Sequence, residues 1–376
     1  MLNLTRYKIE PLPESDVLTC ALLQNAFISI DGTTLSNHSL GWATIFDWSA
    51  TNFDPAAYNF GPVLAFNLRQ DVRRVSPKVL GRYCALREKA HLRNHGKINA
   101  IIRREIKEAV KAELLDKAPV ESGVAPVYCL PDLGEAWLMA KDGKARSAFE
   151  ELWGRTFGYY PEMIVPFRLA LELNPVMAGA TFQFGENTPF LDKQADTRWL
   201  GEDFLLWLWA QSVAFVRGAS GESYSVAFGD NLVLKDGKEM VSCSGPAAPD
   251  WPEAQAAALN GKALSRATLQ LTTEDMDFYF NLEPDTLTPQ AIRLPKEVDS
   301  DGSPAGIMLE RVEMLKQLLA GLRDIFAAFL DVRLSAAWKA TEKPGIVAFL
   351  ERGLAESRLK LTRSENLNLP AGQAGN

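Results

Sequence analysis

Fourteen Lys and Arg residues lie between Arg69 and Lys117, against six Asp and Glu, in a 376-residue chain whose net charge is −7. Cations at this density suit phosphates, because Lys and Arg neutralise backbone charge and release counterions without reading a base. The spacing sharpens the point. At about 100° per residue, Lys78, Arg82, Lys89 and Arg93 fall within an arc of roughly 60°. Lys97, Arg104, Lys107 and Lys111 fall within an arc of roughly 80° by the same count, with Arg103 beside them. A pair of solvated amphipathic helices would give the same pattern, so phosphate contact and a plain solvated face both stay open.

Other residues could do other chemistry. Glu274, Asp275 and Asp277 could hold Mg²⁺ for a metal-dependent nuclease acting on DNA, but the spacing is unspecific and turns favour such residues anyway. His91 and His95 are four apart on an expected helix. The residues between them lack the glutamate of H-E-x-x-H, and the neighbouring Arg93 would oppose a bound cation. Trp207 and Trp209 could stack the bases of a single strand, yet the apolar run Phe204-Leu205-Leu206-Trp207-Leu208-Trp209 favours burial. Cys20, Cys84, Cys129 and Cys243 form no C-x-x-C pair and read as buried, reduced thiols. There is no G-x-x-x-x-G-K-[ST], no G-x-S-x-G, no zinc-finger spacing and no RNP signature. No cofactor and no metal site are announced by these patterns, and any nucleic-acid binding is expected not to be sequence-specific.

The basic residues need helices to align them. Ser76-Pro77 reads as a helix start, with Ser as N-cap and Pro at the first helical position, and Gly96 as its stop. Val79, Tyr83, Leu86 and Ala90 form an apolar arc expected to pack. A second helix is predicted from about Ile98 to Leu115, with Ile98, Ile102, Ile106, Val110 and Leu114 as its apolar stripe.

The surrounding pattern is mixed. Leu18 to Ile30 could be a helix or a strand-like run; Gly41 to Trp48, Pro62 to Leu68 and Glu135 to Ala140 read as strands. Asp142-Gly143 reads as a turn before a helix from Ala145 to Phe157, and Glu202 to Ser212 as a largely buried helix. Tyr224 to Phe228 and Asn231 to Leu234 flank Gly229-Asp230 as a predicted hairpin. A loop spans Gly245 to Pro252. Strands are expected at Ala263 to Leu271 and Asp277 to Leu282, a long helix from Glu310 to Asp331, and a frayed tail from Leu361. The fold class is α+β, with an N-terminal α/β lobe at 1–75, the basic helical segment at 76–118, central and C-terminal α+β lobes at 119–331, and an extension at 332–376. No apolar leader opens the chain and no run reaches the roughly 18 apolar residues of a membrane span, so a cytoplasmic protein without membrane contact is expected.

The order of these features resembles that of the bacterial recombination-associated RdgC family. The resemblance rests on Gly41-Trp42, on Leu68-Arg69-Gln70-Asp71 leading to Val75-Ser76-Pro77-Lys78-Val79, and on the Lys/Arg/Glu-rich helix ending Leu114-Leu115-Asp116-Lys117-Ala118. Further landmarks are Gly134 to Gly158, Phe204 to Trp209, Gly261-Lys262-Ala263-Leu264-Ser265-Arg266 and the helix from Glu310. The likeness runs to about Asp331 and is one of pattern more than identity. It implies a horseshoe-like, multi-lobed subunit of mixed antiparallel sheets and helices, and a ring-shaped homodimer around double-stranded DNA. It also implies a non-catalytic, nucleoid-associated role that modulates recombination by limiting RecA access; single-stranded DNA stays open as a second form of the ligand. Lys78, Arg82, Lys97, Arg103, Arg104, Lys107, Lys262 and Arg266 are the cations it would place on DNA. Where the family tends to carry a basic-Ala-Phe sequence after the Leu-Leu pair, this chain has Lys117-Ala118-Pro119-Val120.

Overall fold

The computed structural model describes residues 1–31, 37–174, 198–212, 215–273, 276–296 and 302–367, with side chains described as far as 356. It is α+β, 46% helix and 26% strand, with antiparallel sheets. Two units divide the chain: Tyr7–Glu162, and Met1–Arg6 with Met163–Asn376. No helix among the described residues is long and apolar enough to cross a membrane.

The sheet of the Tyr7–Glu162 unit has the order β2-β3-β4-β5-β1-β6, from β1 (Thr5–Lys8), β2 (His38–Thr44), β3 (Leu64–Arg73), β4 (Val120–Leu130), β5 (Glu135–Leu138) and the short β6 (Glu162–Met163). β3 and β4 pair over ten residues, Leu64 opposite Cys129 and Arg73 opposite Val120. The strand after the basic segment thus returns to the strand before it, and the segments expected at 1–75 and 119–331 share one sheet. On this sheet lies α5 (Gly143–Phe157), started by Asp142, whose carboxylate accepts from the Lys144 and Ala145 amides. Its buried face is Ala148, Phe149, Leu152 and Trp153; Phe149 and Trp153 meet Trp42 of the sheet edge-on at 6.4 and 6.5 Å, and Trp42 in turn is edge-on to Phe66 of the neighbouring strand at 4.8 Å. Burial of such rings is the main stabilising term of this layer.

α1 (Ser15–Gln24) covers the first half of the ambiguous apolar run, and the rest is extended, with Phe27 N–H donating to the Trp42 carbonyl. That approach depends on Gly41: a Cβ there would lie 2.5 Å from the Phe27 backbone.

The second unit holds the sheet β12-β11-β10-β8-β7, with β9 also on β8. Its strands are β7 (Phe215–Arg217), β8 (Ser223–Asp236), β9 (Glu239–Ser244), β10 (Ala263–Thr272), β11 (Asp277–Leu282) and β12 (Gln290–Arg293). No hairpin turn forms at Gly229-Asp230. β8 runs through both residues, and they mark a register shift against β10 between Ala267 and Leu269. A bulge takes the same Gly-Asp signal as a turn, since both need one locally irregular residue. The turn comes later, at Gly237 with φ +55, where Asp236 pairs with Glu239.

Helices α6 (Pro166–Leu173), α7 (Trp199–Gln211), α8 (Pro252–Leu259), α9 (Pro304–Arg333) and α10 (Lys343–Leu367) complete this unit. α7 is buried along nearly its whole length, Trp207 and Trp209 included, so they pack and offer no stacking surface. Phe204 and Trp207 meet Phe329 of α9 at 5.4 and 5.6 Å. α10 belongs to the extension and runs past the predicted fraying point at Leu361 to Leu367. Of the four free cysteines only Cys129 and Cys243 are buried; Cys84 is half-buried and Cys20 exposed, because it lies on the outer side of α1. Burial alone pushes the Cys129 thiol far up, which makes it inert.

Candidate nucleic-acid interface

The basic segment folds as a helical hairpin between β3 and β4. α3 spans Pro77–His95 and α4 spans Ala100–Asp116. Ser76 precedes Pro77 as expected but makes no side-chain cap, and Gly96 closes α3 in the left-handed region at φ 69. α4 starts two residues later than Ile98, because Asn99 caps it by accepting from the Ile102 amide at 2.8 Å.

Not every cation of the segment is available. Arg69 is buried, sends two N–H groups to the Asp71 carboxylate at 2.7 and 3.1 Å, and lies over Phe27 and Trp48 at 3.9 and 4.6 Å. Arg73 is buried too and donates to the Ile30 carbonyl. These two hold β3 to its surroundings; they cannot meet a ligand. From Lys78 to Lys117 the hairpin still carries eleven Lys and Arg against five Asp and Glu.

Each predicted cation of the hairpin is exposed. Arg103 pairs with Glu88 at 3.7 Å and Arg104 with Glu108 at 3.0 Å. Lys78, Arg82, Lys89, Arg93, Lys97, Lys107 and Lys111 join no ion pair among the described residues. Lys262 and Arg266 belong to the second unit, on or beside β10. Glu239 sits 2.5 Å from Lys262 and Glu283 sits 2.6 Å from Arg266. Each is already neutralised by a carboxylate.

The hairpin's internal packing differs from the expected one. Val79, Tyr83 and Leu86 are 43, 46 and 57% exposed, and α3 buries no residue. The half-buried positions are Leu80, Cys84, Glu88 and His91. They face α4, to which Arg87–Glu113 at 2.8 Å and Arg103–Glu88 tie the helix. A two-helix layer covers one side of each helix only, so the apolar arc, roughly 110° round from that stripe, stays bare. On α4 the expected stripe does turn inward, with Val110 buried and Ile98, Ile102, Ile106 and Leu114 half-buried.

The same geometry fixes where the charges point. On both helices the basic arc lies roughly 150° round from the packing stripe, so the free cations occupy the two outer faces of the hairpin. The α3 face, Lys78, Arg82, Lys89 and Arg93, has no acidic partner among the described residues; on the α4 face Glu108 takes up Arg104.

Metal chemistry has no assembled site in view. Among the described residues no group of three or more His, Cys, Asp and Glu could hold an ion. His91 and His95 stack at 4.4 Å with no third ligand beside them. Glu274 and Asp275 lie outside the described residues, and Asp277 accepts from the Thr272 hydroxyl at 2.5 Å. Compared with known protein families and with curated proteins, the chain matches none.

Proposed function

We propose that this chain is a non-catalytic protein that binds double-stranded DNA without reading its sequence, through phosphate contacts of the α3–α4 hairpin. One observation carries the reading: seven exposed Lys and Arg, without acidic partners among the described residues, project from one hairpin of a chain whose net charge is −7. Lys78 to Arg93 spans about 22 Å of helix, enough to follow about six base pairs of duplex. The acidic remainder of the chain turns the same polyanion away from other surfaces.

The likeness to the RdgC family supports the same ligand, and it alone adds the ring, the nucleoid and the limit on RecA. The bare apolar arc of α3 supports a homodimer, since a second copy is one way to cover it.

The test is a titration of two unrelated duplexes at a series of salt concentrations. Affinity should fall steeply and equally for both, with a log–log slope no steeper than about −6 for seven phosphate contacts. Replacing Lys78→Glu with Arg82→Glu should weaken both duplexes alike and by more than Lys107→Glu with Lys111→Glu. A flat salt response would sink the proposal. Incubation with Mg²⁺ or Mn²⁺ should leave DNA intact, whereas cleavage lost on Asp277→Ala would favour the nuclease reading.

A further inference from the structure

The sheet of the second unit has one buried face and one open one. Tyr224, Val226, Leu269, Leu271, Phe278 and Phe280 are buried, and α9 comes so near that a Cβ at Gly321 would lie 3.2 Å from the Tyr224 ring. The residues between them turn to the opposite face, because strand side chains alternate. Register sets these out in two rows. Phe215, Ser225, Thr272 and Asp277 run across β7, β8, β10 and β11; Ala227, Gln270, Tyr279 and Arg293 run across β8, β10, β11 and β12. All eight are exposed or half-buried.

Each end of this face joins an open ring to a guanidinium. Phe215 is 76% exposed, and Arg217 follows it on the same side of β7. Tyr279 is 43% exposed and has Arg293 as its cross-strand neighbour, with Cβ atoms about 5 Å apart at such a position. Neither arginine joins an ion pair among the described residues. Phe215 lies on the edge strand, where a bare apolar side chain is an aggregation liability unless a partner covers it. The two rings stand three strand spacings apart, about 14 Å across the sheet. Between them the floor is small and polar. Ser225 and Gln270 make no side-chain hydrogen bond among the described residues, and the carboxylate of Asp277 accepts from the Thr272 hydroxyl. Two free cations against that one anion leave the face positive.

Open rings stack bases and guanidinium groups meet phosphates, so a flat sheet carrying both suits a single strand, whose base faces are accessible as those of a duplex are not. The floor then selects the sugar. A free hydroxyl and a free amide offer donors and acceptors together, which a 2′-hydroxyl can use and a deoxyribose cannot. We propose that this face binds single-stranded RNA, with bases on Phe215 and Tyr279, phosphates on Arg217 and Arg293, and 2′-hydroxyl groups against Ser225 and Gln270. It shares no residue with the α3–α4 hairpin and does not rest on duplex binding there.

The test is fluorescence anisotropy of the full chain with labelled oligouridine, with oligothymidine of equal length and a DNA duplex as the other arms. Oligouridine should bind saturably and more tightly than oligothymidine. Phe215→Ala and Tyr279→Ala should each weaken oligouridine by about tenfold, the loss of one stacked base, and leave the duplex unchanged. Tyr279→Phe keeps the ring and should keep the affinity. Ser225→Ala with Gln270→Ala should bring oligouridine down to the level of oligothymidine. Both rings are at the surface, so the variants should fold, and a circular dichroism spectrum checks it. No saturable binding of oligouridine, or binding untouched by loss of both rings, would overturn the proposal. Oligothymidine bound as tightly as oligouridine would overturn the choice of RNA. Loss of self-association in the ring variants with oligouridine binding intact would give the face to a second copy instead. The duplex arm reads the hairpin, so failure there and failure here are told apart.

Discussion

Two arginines with similar surroundings show why charge read from sequence cannot be assigned to a ligand residue by residue. Arg69 and Arg333 are both buried between aromatic rings, the first against Asp71, the second 2.8 Å from Asp203 and over Trp199 and Trp338 at 4.7 and 4.9 Å. A strand places Arg69 and Asp71 on one face by its period of two, and only knowledge of which face is covered tells that the pair is internal. The Asp203 pair yields a pH prediction. Burial pushes the Asp203 carboxyl up to about 6, against the opposing pull of Arg333. Its pKa in the unfolded chain is about 3.9. Between those values the folded state holds a proton that the unfolded state has released, so this group's contribution to stability falls as pH rises from about 4 to about 6. Asp203→Asn removes the dependence while the two indoles still hold Arg333. Chemical denaturation should find variant and native chain equally stable near pH 4 and the variant more stable near pH 7, by on the order of 2 kcal/mol. A variant that is the weaker of the two at pH 7 would show that the ion pair outweighs its desolvation.

Elements were legible where a local rule decides them, and illegible where a neighbour does. The helix start at Ser76-Pro77, the stop at Gly96, the long α9 and the buried α7 all follow from caps or from apolar content that no partner could reverse. Gly229-Asp230 and the apolar arc of α3 failed for one shared reason. The first is a bulge because β10 lies alongside to be bulged against, and the second is bare because α4 covers a different side. The arc of free cations was readable from spacing alone, but its division between opposite outer faces needed the packing stripe. Gly41 belongs to the same class. Nothing in the sequence tells that Phe27 N–H pairs with the Trp42 carbonyl across it, yet that contact ties the segment after α1 to β2. Gly41→Ala must push the two backbones apart, and strain of that kind costs about 1–3 kcal/mol or more in a packed layer. Thermal unfolding should show a clear loss for Gly41→Ala and almost none for Gly61→Ala beyond its φ penalty, since nothing lies within 4 Å of a Cβ at Gly61. Equal losses at the two positions would mean that close approach is not what Gly41 provides.

At the scale of the whole molecule, charge and apolar surface compete for the same hairpin. Val79, Tyr83 and Leu86 run between the basic arc of α3 and the side that meets α4, so a second copy covering them would bring its own cations close to the first set. Like charges oppose that approach at low salt, and bound DNA relieves the repulsion by neutralising both. Self-association and DNA binding should therefore strengthen one another. Replacing Tyr83→Lys with Leu86→Lys separates the two effects, because it adds positive charge to the face while removing the apolar contact. Were DNA held by one hairpin alone, the extra lysines would tighten binding. If two copies act together, sedimentation should show loss of the dimer, and DNA affinity should fall despite the added charge as the second hairpin's contribution is lost. An unchanged mass together with tighter binding would confine the action to a single copy and leave the phosphate contacts of α3 standing without a partner.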